Sequence, residues 1–423
     1  MTLTDSVPRS LADWLAYQER VHPRAIELGL ERVRAVALRL GLLPAPATTL
    51  TVGGTNGKGS SATLAAGIYR QAGYRVGLYR SPHLLVYNER VELDGAPAAD
   101  AQLCRAFAAI EQARGDIPLT YFEFGTLAAL LLFREASVQV QVLEVGLGGR
   151  LDAVNIVDAD CALVTNIGLD HTDWLGPDRD SIAYEKAGIL RGGRPAVTGE
   201  AQPPARLLGH AQAIGADIWR PGQDYRYRIA AGGGWDWSGR VLQYRGLPAP
   251  ALAGDAQYGN AAAVLAAVEA LQGQRPVAEP AIRAALAALR LPGRFEVVGD
   301  TVLDVAHNVE AAQVLAHNLQ SHPVAGRTWL VLGMFADKPA EGVCAALTPV
   351  VSAAFFGGLP PPRGLGGEDL RRRAAAAGLD GTAWESVEQA YARARAGMAA
   401  GDRIVVCGSF LSVAAVAKML TCA

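Results

Sequence analysis

The 423-residue chain has no surplus of either charge: 39 lysines and arginines stand against 41 aspartates and glutamates, a net charge of −2. Proteins that grip a nucleic-acid backbone need clustered basic residues, so this balance argues against that partner class. Cysteine is scarce. Cys104, Cys161, Cys344, Cys407 and Cys422 are scattered, odd in number and never in C-x-x-C, which fits a reducing cytoplasm better than a disulfide framework or a zinc site. The longest apolar run, around Thr126–Phe133, falls far short of the roughly 20 residues that cross a bilayer. The N-terminal stretch mixes Asp5, Arg9, Asp13, Glu19 and Arg20 with apolar positions, unlike a signal peptide. The expectation is a cytoplasmic protein without nucleic-acid or membrane partners. No solenoid period appears, and no Ser-His-Asp or Cys-His set suggests a side-chain nucleophile.

What is present is an alternation. Short β-branched runs at Leu50–Val52, Arg75–Tyr79, Val138–Val145 and Cys161–Asn166 end in Gly, Glu or polar residues, and helical patterns lie between them. That is the grammar of an α/β fold with a parallel sheet covered on both faces. Alternating aromatics between Pro221 and Pro250 predict a small antiparallel patch packed on the domain. A second strand–helix series starts after L-P-G-R-F at 291–295, a hinge candidate, without any G-x-G-x-x-G. The expected division is a large nucleotide domain over 1–293 and a smaller, Rossmann-like α/β domain over 294–423.

Five segments carry chemistry. T-V-G-G-T-N-G-K-G-S-S at 51–61 is a glycine-rich loop entering a helix, with Lys58 as a full charge for phosphate. It departs from the Walker A pattern twice: Val52 stands where the first Gly belongs, and the hydroxyl arrives one place late at Ser60. V-L-E-V-G-L-G-G-R-L-D at 142–152 delivers Glu144 near a strand's carboxyl end, as a Mg²⁺ ligand or as one half of a salt bridge. T-N-I-G-L-D-H-T-D-W-L-G at 165–176 offers His171 for a metal, for phosphate or for an ordinary polar contact. Its D-x-x-G raises a GTPase, but no [NT]-K-x-D follows. Y-E-K-A-G-I-L at 184–190 holds Lys186, readable as a surface lysine paired with Glu185 or Asp180. L-D-V-A-H-N at 303–308 places Asp304 and His307 after a strand, where an Asp reads a ribose hydroxyl or caps a helix.

Together with G-L-E-R-V at 29–33, S-P-H-L at 81–84, T-Y-F-E-F at 120–124, P-G-R-F at 292–295 and C-G-S-F at 407–410, these segments run in order along the whole chain. They resemble the folylpolyglutamate synthase/dihydrofolate synthase family of Mur-ligase-type amide ligases. The resemblance implies that Thr55, Asn56, Gly57 and Lys58 cradle ATP phosphates, with Asn260, Arg294 and Asp304 as further ATP contacts. It gives Mg²⁺ to Ser81, Glu144 and His171, with a second ion and a monovalent cation as options. It makes Lys186 a carbamylated lysine, which requires a depressed pKa. It assigns dihydropteroate or folate to Glu27, Leu28, Gly29 and Leu30, to Thr120, Tyr121, Phe122 and Glu123, and to Leu151, Asp152 and Ala153. His307 and Ser409 are the weaker candidates for the L-glutamate side, and Lys58, Lys186 and His307 for catalysis. Two departures from the family pattern stand out: Val309-Glu310 where Pro-His is usual, and Pro339 where an acidic residue is usual.

The implied reaction phosphorylates a carboxylate with ATP, then lets the amine of glutamate attack the acyl phosphate. The implied enzyme is a monomer that makes dihydrofolate and also extends reduced folates. The alternatives are a dihydrofolate synthase only, a peptidoglycan-type ligase, for whose UDP-sugar domain little chain precedes the loop, and a non-catalytic ATP-binding module.

Overall fold

The apolar run before the glycine-rich loop becomes a wholly buried central strand, β1 (Thr48–Gly53). It belongs to an eight-stranded sheet with β2 (Val76–Tyr79), β3 (Val91–Leu93), β4 (Ala96–Pro97), β5 (Val140–Glu144), β6 (Cys161–Val164), β7 (Pro195–Thr198) and β8 (Asp217–Trp219). The computed structural model describes residues 8–24 and 26–421. Strand order is β4-β3-β2-β5-β1-β6-β7-β8. The β2–β3–β4 corner is antiparallel and every other pairing is parallel. Covered on both faces, β1, β2, β5 and β6 expose no residue, which is why they read as largely apolar runs broken only by buried Thr48, Thr49, Thr51, Gln141 and Glu144.

Register positions the site. Val52 pairs with Glu144 on β5, and Gly53 pairs with Val164 on β6. The loop after Gly53, the Glu144 carboxylate and the Thr165 turn therefore leave the same edge of the sheet, at the carboxyl ends of parallel strands, where open α/β sheets bind ligands. The run Thr126–Phe133 is a core helix, Tyr121–Glu135, buried from Glu123 to Phe133 and started by a Thr120/Glu123 capping box.

The aromatic stretch forms an antiparallel sheet of β9 (Arg226–Ile229), β10 (Trp235–Ser238) and β11 (Gln243–Leu247). Trp235 and Trp237 are buried, and their indole N–H groups donate to the carbonyls of Pro248 and Ala262 at 2.8 and 3.0 Å. The patch is packing, as its composition suggested.

Two compact units result. One holds the chain up to His83, Tyr87–Pro250 and Tyr258–Leu289; the other holds Leu84–Val86, Ala251–Gln257 and the chain from Arg290 onward. The second unit has its own six-stranded sheet, built from β12 (Glu296–Val298), β13 (Thr301–Leu303), β14 (Thr328–Leu332), β15 (Ala353–Gly357), β16 (Thr382–Trp384) and β17 (Arg403–Cys407). Its order is β12-β13-β17-β14-β15-β16, parallel except for the β12–β13 hairpin. Gly293, in the hinge candidate, is tied into this unit: its N–H donates to Glu296 and its carbonyl accepts from Val305. Among the described residues no helix is long and apolar enough to cross a membrane.

Candidate active site

The glycine-rich loop is held open by the turn after β6. The N–H of Thr55 donates to the Asn166 carbonyl at 2.9 Å, and that of Asn56 to Asn166 Oδ1 at 2.7 Å. Thr165 Oγ1 returns a bond to the Asn56 carbonyl at 2.6 Å. The Thr55 hydroxyl is bonded to both the carbonyl and the N–H of Gly168. Thr55 and Asn56 thus shape the loop through groups already engaged within the protein. The helix N-terminus that begins at Lys58 supplies N–H groups lacking intrahelical acceptors. Two glycines are structurally required. Gly54 (φ +137°) lies against Thr165, where a Cβ would overlap Oγ1, and Gly57 (φ +80°) lies beneath Asn260, whose Oδ1 would sit 2.7 Å from a Cβ. Asn260 therefore stands over the glycine-rich loop itself.

Lys58 folds back on this loop, with Nζ 3.1 Å from the Gly54 carbonyl and 2.9 Å from that of Thr55. Lys186, from the helix Arg179–Ala187, reaches the same Gly54 oxygen at 2.8 Å. It is buried, and that burial, reinforced by the positive charge of Lys58, pushes its pKa down to about 7. Glu185 does not pair with it; Glu185 binds Arg150 at 2.8 Å instead. Asp152 is buried too. Burial raises its pKa to about 6, against the N–H groups of Leu147 and Val154 at 2.8 and 3.0 Å and the charge of Lys58.

Glu144 ends β5 buried, and accepts the Ser81 N–H at 3.2 Å. His171 follows in a left-handed conformation (φ +53°), its ring 4.0 Å from Asp170. Among the described residues no three His, Cys, Asp or Glu side chains group closely enough to hold a metal by themselves. A buried carboxylate beside a serine is nonetheless the oxygen chemistry a hard cation takes when phosphate and water supply the remaining ligands.

The three segments that the resemblance assigns to dihydropteroate or folate converge. The Gly29 N–H donates to the Leu151 carbonyl at 3.3 Å, and Arg32 bonds Glu27 at 3.0 Å while standing 3.2 Å from Glu123. Phe122 packs 5.8 Å from Tyr79, and Tyr121 lies under the Arg90 guanidinium at 5.4 Å.

In the second unit Asp304 is half-buried and clasps its own loop, accepting from Phe295 N–H at 2.9 Å and Ala306 N–H at 2.8 Å. Burial raises its pKa, opposed first by Arg294. Arg294 lies over the Phe410 ring at 5.5 Å, and His307 Nδ1 meets the Val305 carbonyl at 2.8 Å. Ser409 is buried, and its hydroxyl is engaged with Ser412 at 2.7 Å. Asn308 caps the helix Val309–Ser321, so Val309 and Glu310 simply begin that helix.

Family profiles match both units: the Mur ligase middle domain over residues 52–225 and the Mur ligase glutamate ligase domain over residues 293–410. A dihydrofolate synthase/folylpolyglutamate synthase of Escherichia coli (strain K12) is 45% identical over 420 residues, 99% of this chain and 97% of that protein. The chain belongs to the dihydrofolate synthase/folylpolyglutamate synthase family of Mur ligases. Solved members of the family share its fold. The E. coli protein in complex with DHPP and ADP matches with a TM-score of 0.93 and 45% identity, over 98% of this chain and 99% of that one. A bifunctional folylpolyglutamate synthase/dihydrofolate synthase with Mn, AMPPNP and L-glutamate bound gives 0.90 and 44%, over 98% and 99%. Membership makes this an ATP-dependent ligase.

Sequence reasoning about this ligase missed Asn166, which templates the loop, and Arg32, which joins Glu27 to Glu123. Both lie inside quoted motifs, T-N-I-G and G-L-E-R-V. A role in joining distant segments leaves no signature in spacing, so only the motif itself could have flagged them.

Proposed function

We propose that this ligase joins L-glutamate to dihydropteroate and, as a second activity, to the glutamate tail of reduced folates, each through an acyl phosphate formed from ATP. The observation that carries this reading is the meeting of Lys58 and Lys186 on one loop carbonyl, beside Glu144 at the same sheet edge. A carboxylate is a poor electrophile, so its activation needs the γ-phosphate held and its charge drawn off. Lys58 and the helix N-terminus do this for the phosphates. Ser81, Glu144 and His171 are the residues that would hold Mg²⁺, which when bound neutralises phosphate charge. Asp152, Thr120–Glu123 and Glu27–Leu30 hold the pteridine end, and Arg294, Asp304 and Asn260 attend ATP. His307 and Ser409 remain the glutamate-side candidates, Ser409 the weaker because its hydroxyl is engaged with Ser412.

We assign the first unit, the expected 1–293 without Leu84–Val86, Ala251–Gln257 and residues 290–293, to ATP and pteroate, and the second unit to the glutamate side. A cytoplasmic location suits the scattered cysteines, and the family resemblance implies a monomer. The test is ADP release with dihydropteroate plus glutamate, then with tetrahydrofolate plus glutamate, each with and without a divalent-metal chelator. ADP from both pairs, lost on chelation, is expected. ADP from the first pair alone reduces the enzyme to a dihydrofolate synthase, and ADP from neither overturns the proposal.

A further inference from the structure

We propose that Arg32 is a positioning residue for the pteridine-bearing substrate, the single guanidinium that locks the loop Glu27–Leu30 onto the Thr120–Glu123 corner. This rests on the assignment of those segments to that substrate. Arg32 lies in the first turn of the helix Glu31–Arg39. Its Nη1 donates to Glu27 Oε1 at 3.0 Å and its Nη2 to the Glu27 carbonyl at 2.8 Å. The same Nη2 stands 3.2 Å from Glu123 Oε1, joining residues far apart in the chain.

The carboxylates are already occupied. Glu27 Oε2 faces His22 Nε2 at 3.4 Å and Arg24 at 3.5 Å, and Glu123 Oε2 takes the Thr120 N–H at 2.7 Å. Glu27 therefore acts by anchoring its loop, and the loop backbone, bonded through Gly29 N–H to Leu151, is the part presented to substrate. Among the described residues Arg32 Nε is buried without a hydrogen-bond partner, and Glu123 Oε1 is met by Arg32 Nη2. A planar, multidentate fork is needed to reach the Glu27 side chain, the Glu27 carbonyl and Glu123 together; an ammonium group cannot span them equally.

The test compares Arg32→Ala, Arg32→Lys and Glu27→Gln with the full-length enzyme, by steady-state kinetics and by amide exchange at Gly29 without ligand. Arg32→Ala is expected to raise KM for dihydropteroate about tenfold or more, with kcat and the KM for ATP within about twofold. Gly29 should exchange faster, and Arg32→Lys should recover part of both effects. An unchanged KM for dihydropteroate in a folded Arg32→Ala protein, or a parallel rise in the KM for ATP, overturns the proposal. If Arg32→Ala does not fold, Glu27→Gln carries the same comparison. Should the wild-type enzyme not turn over dihydropteroate, the substrate assignment fails by itself, and exchange at Gly29 still judges the clamp: no change in any variant overturns it.

Discussion

Lys58 and Lys186 direct their ammonium groups at one acceptor, the carbonyl oxygen of Gly54, at 3.1 and 2.8 Å. Two like charges on one oxygen are tolerable only if one amine can give up its proton, and Lys186, buried with its pKa near 7, is that one. A neutral amine there can add CO₂ and lose a proton, turning a cation into an anionic carbamate beside Lys58. The relationship thus connects the glycine-rich loop to the lysine that family resemblance marks for modification.

Lys186 sets a pH dependence of stability whose sign is fixed. Its folded pKa of about 7 lies below the ordinary 10.5, so between these values the unfolded chain binds more protons. Its contribution to stability is full above about 10.5 and is lost as pH falls to about 7. In CO₂-free buffer, Lys186→Met should therefore be more stable than wild type near pH 6, by on the order of a few kcal/mol. That advantage should shrink steadily toward about pH 9. Denaturant midpoints across this range check it; a difference that stays flat would show that Lys186 is not buried as a charge.

Lys58 carries the other half of the pair, and its loss should act on phosphoryl transfer alone. Lys58→Ala is expected to lower kcat by about a hundredfold or more while leaving the dissociation constant for dihydropteroate nearly unchanged. Measured by ADP release and by ligand titration, near-normal turnover in this variant would remove the loop from the mechanism.

The sheet and the loop were legible because buried parallel strands write themselves as apolar runs with a Gly or Glu at the carboxyl end, as β1 and β5 do. The antiparallel β3–β4 corner and β8 were not, since these two- and three-residue strands leave residues partly or fully exposed and so show no such run. At the site, Glu144 and Lys186 could be chosen from sequence, but the uses of their neighbours could not. Thr55 looks like a phosphate-binding hydroxyl and is engaged with Gly168; Asp304 looks like a ribose ligand and also clasps Phe295 and Ala306. In each case a partner elsewhere in the chain decides what the group does, and spacing does not encode partners.

Gly57 offers a test that separates shape from contact. It sits at φ +80° as the N-cap of the helix Lys58–Gln71, a conformation that costs an L-residue roughly 1–2 kcal/mol. A Cβ there would also come within 2.7 Å of Asn260 Oδ1. Gly57→Ala should therefore raise KM for ATP and lower kcat together, at least about tenfold in kcat/KM, with binding of dihydropteroate retained. Asn260→Ala removes the steric part of the conflict and none of the backbone part. If Asn260 acts through the loop, the double variant recovers some of the loss, and the two substitutions are not additive. If Asn260 serves only as a direct ATP contact, as the family resemblance implies, the losses in kcat/KM for ATP add. Kinetics of the four proteins in the cycle decide between these, and the 2.7 Å approach of Oδ1 to the Gly57 Cβ position favours recovery.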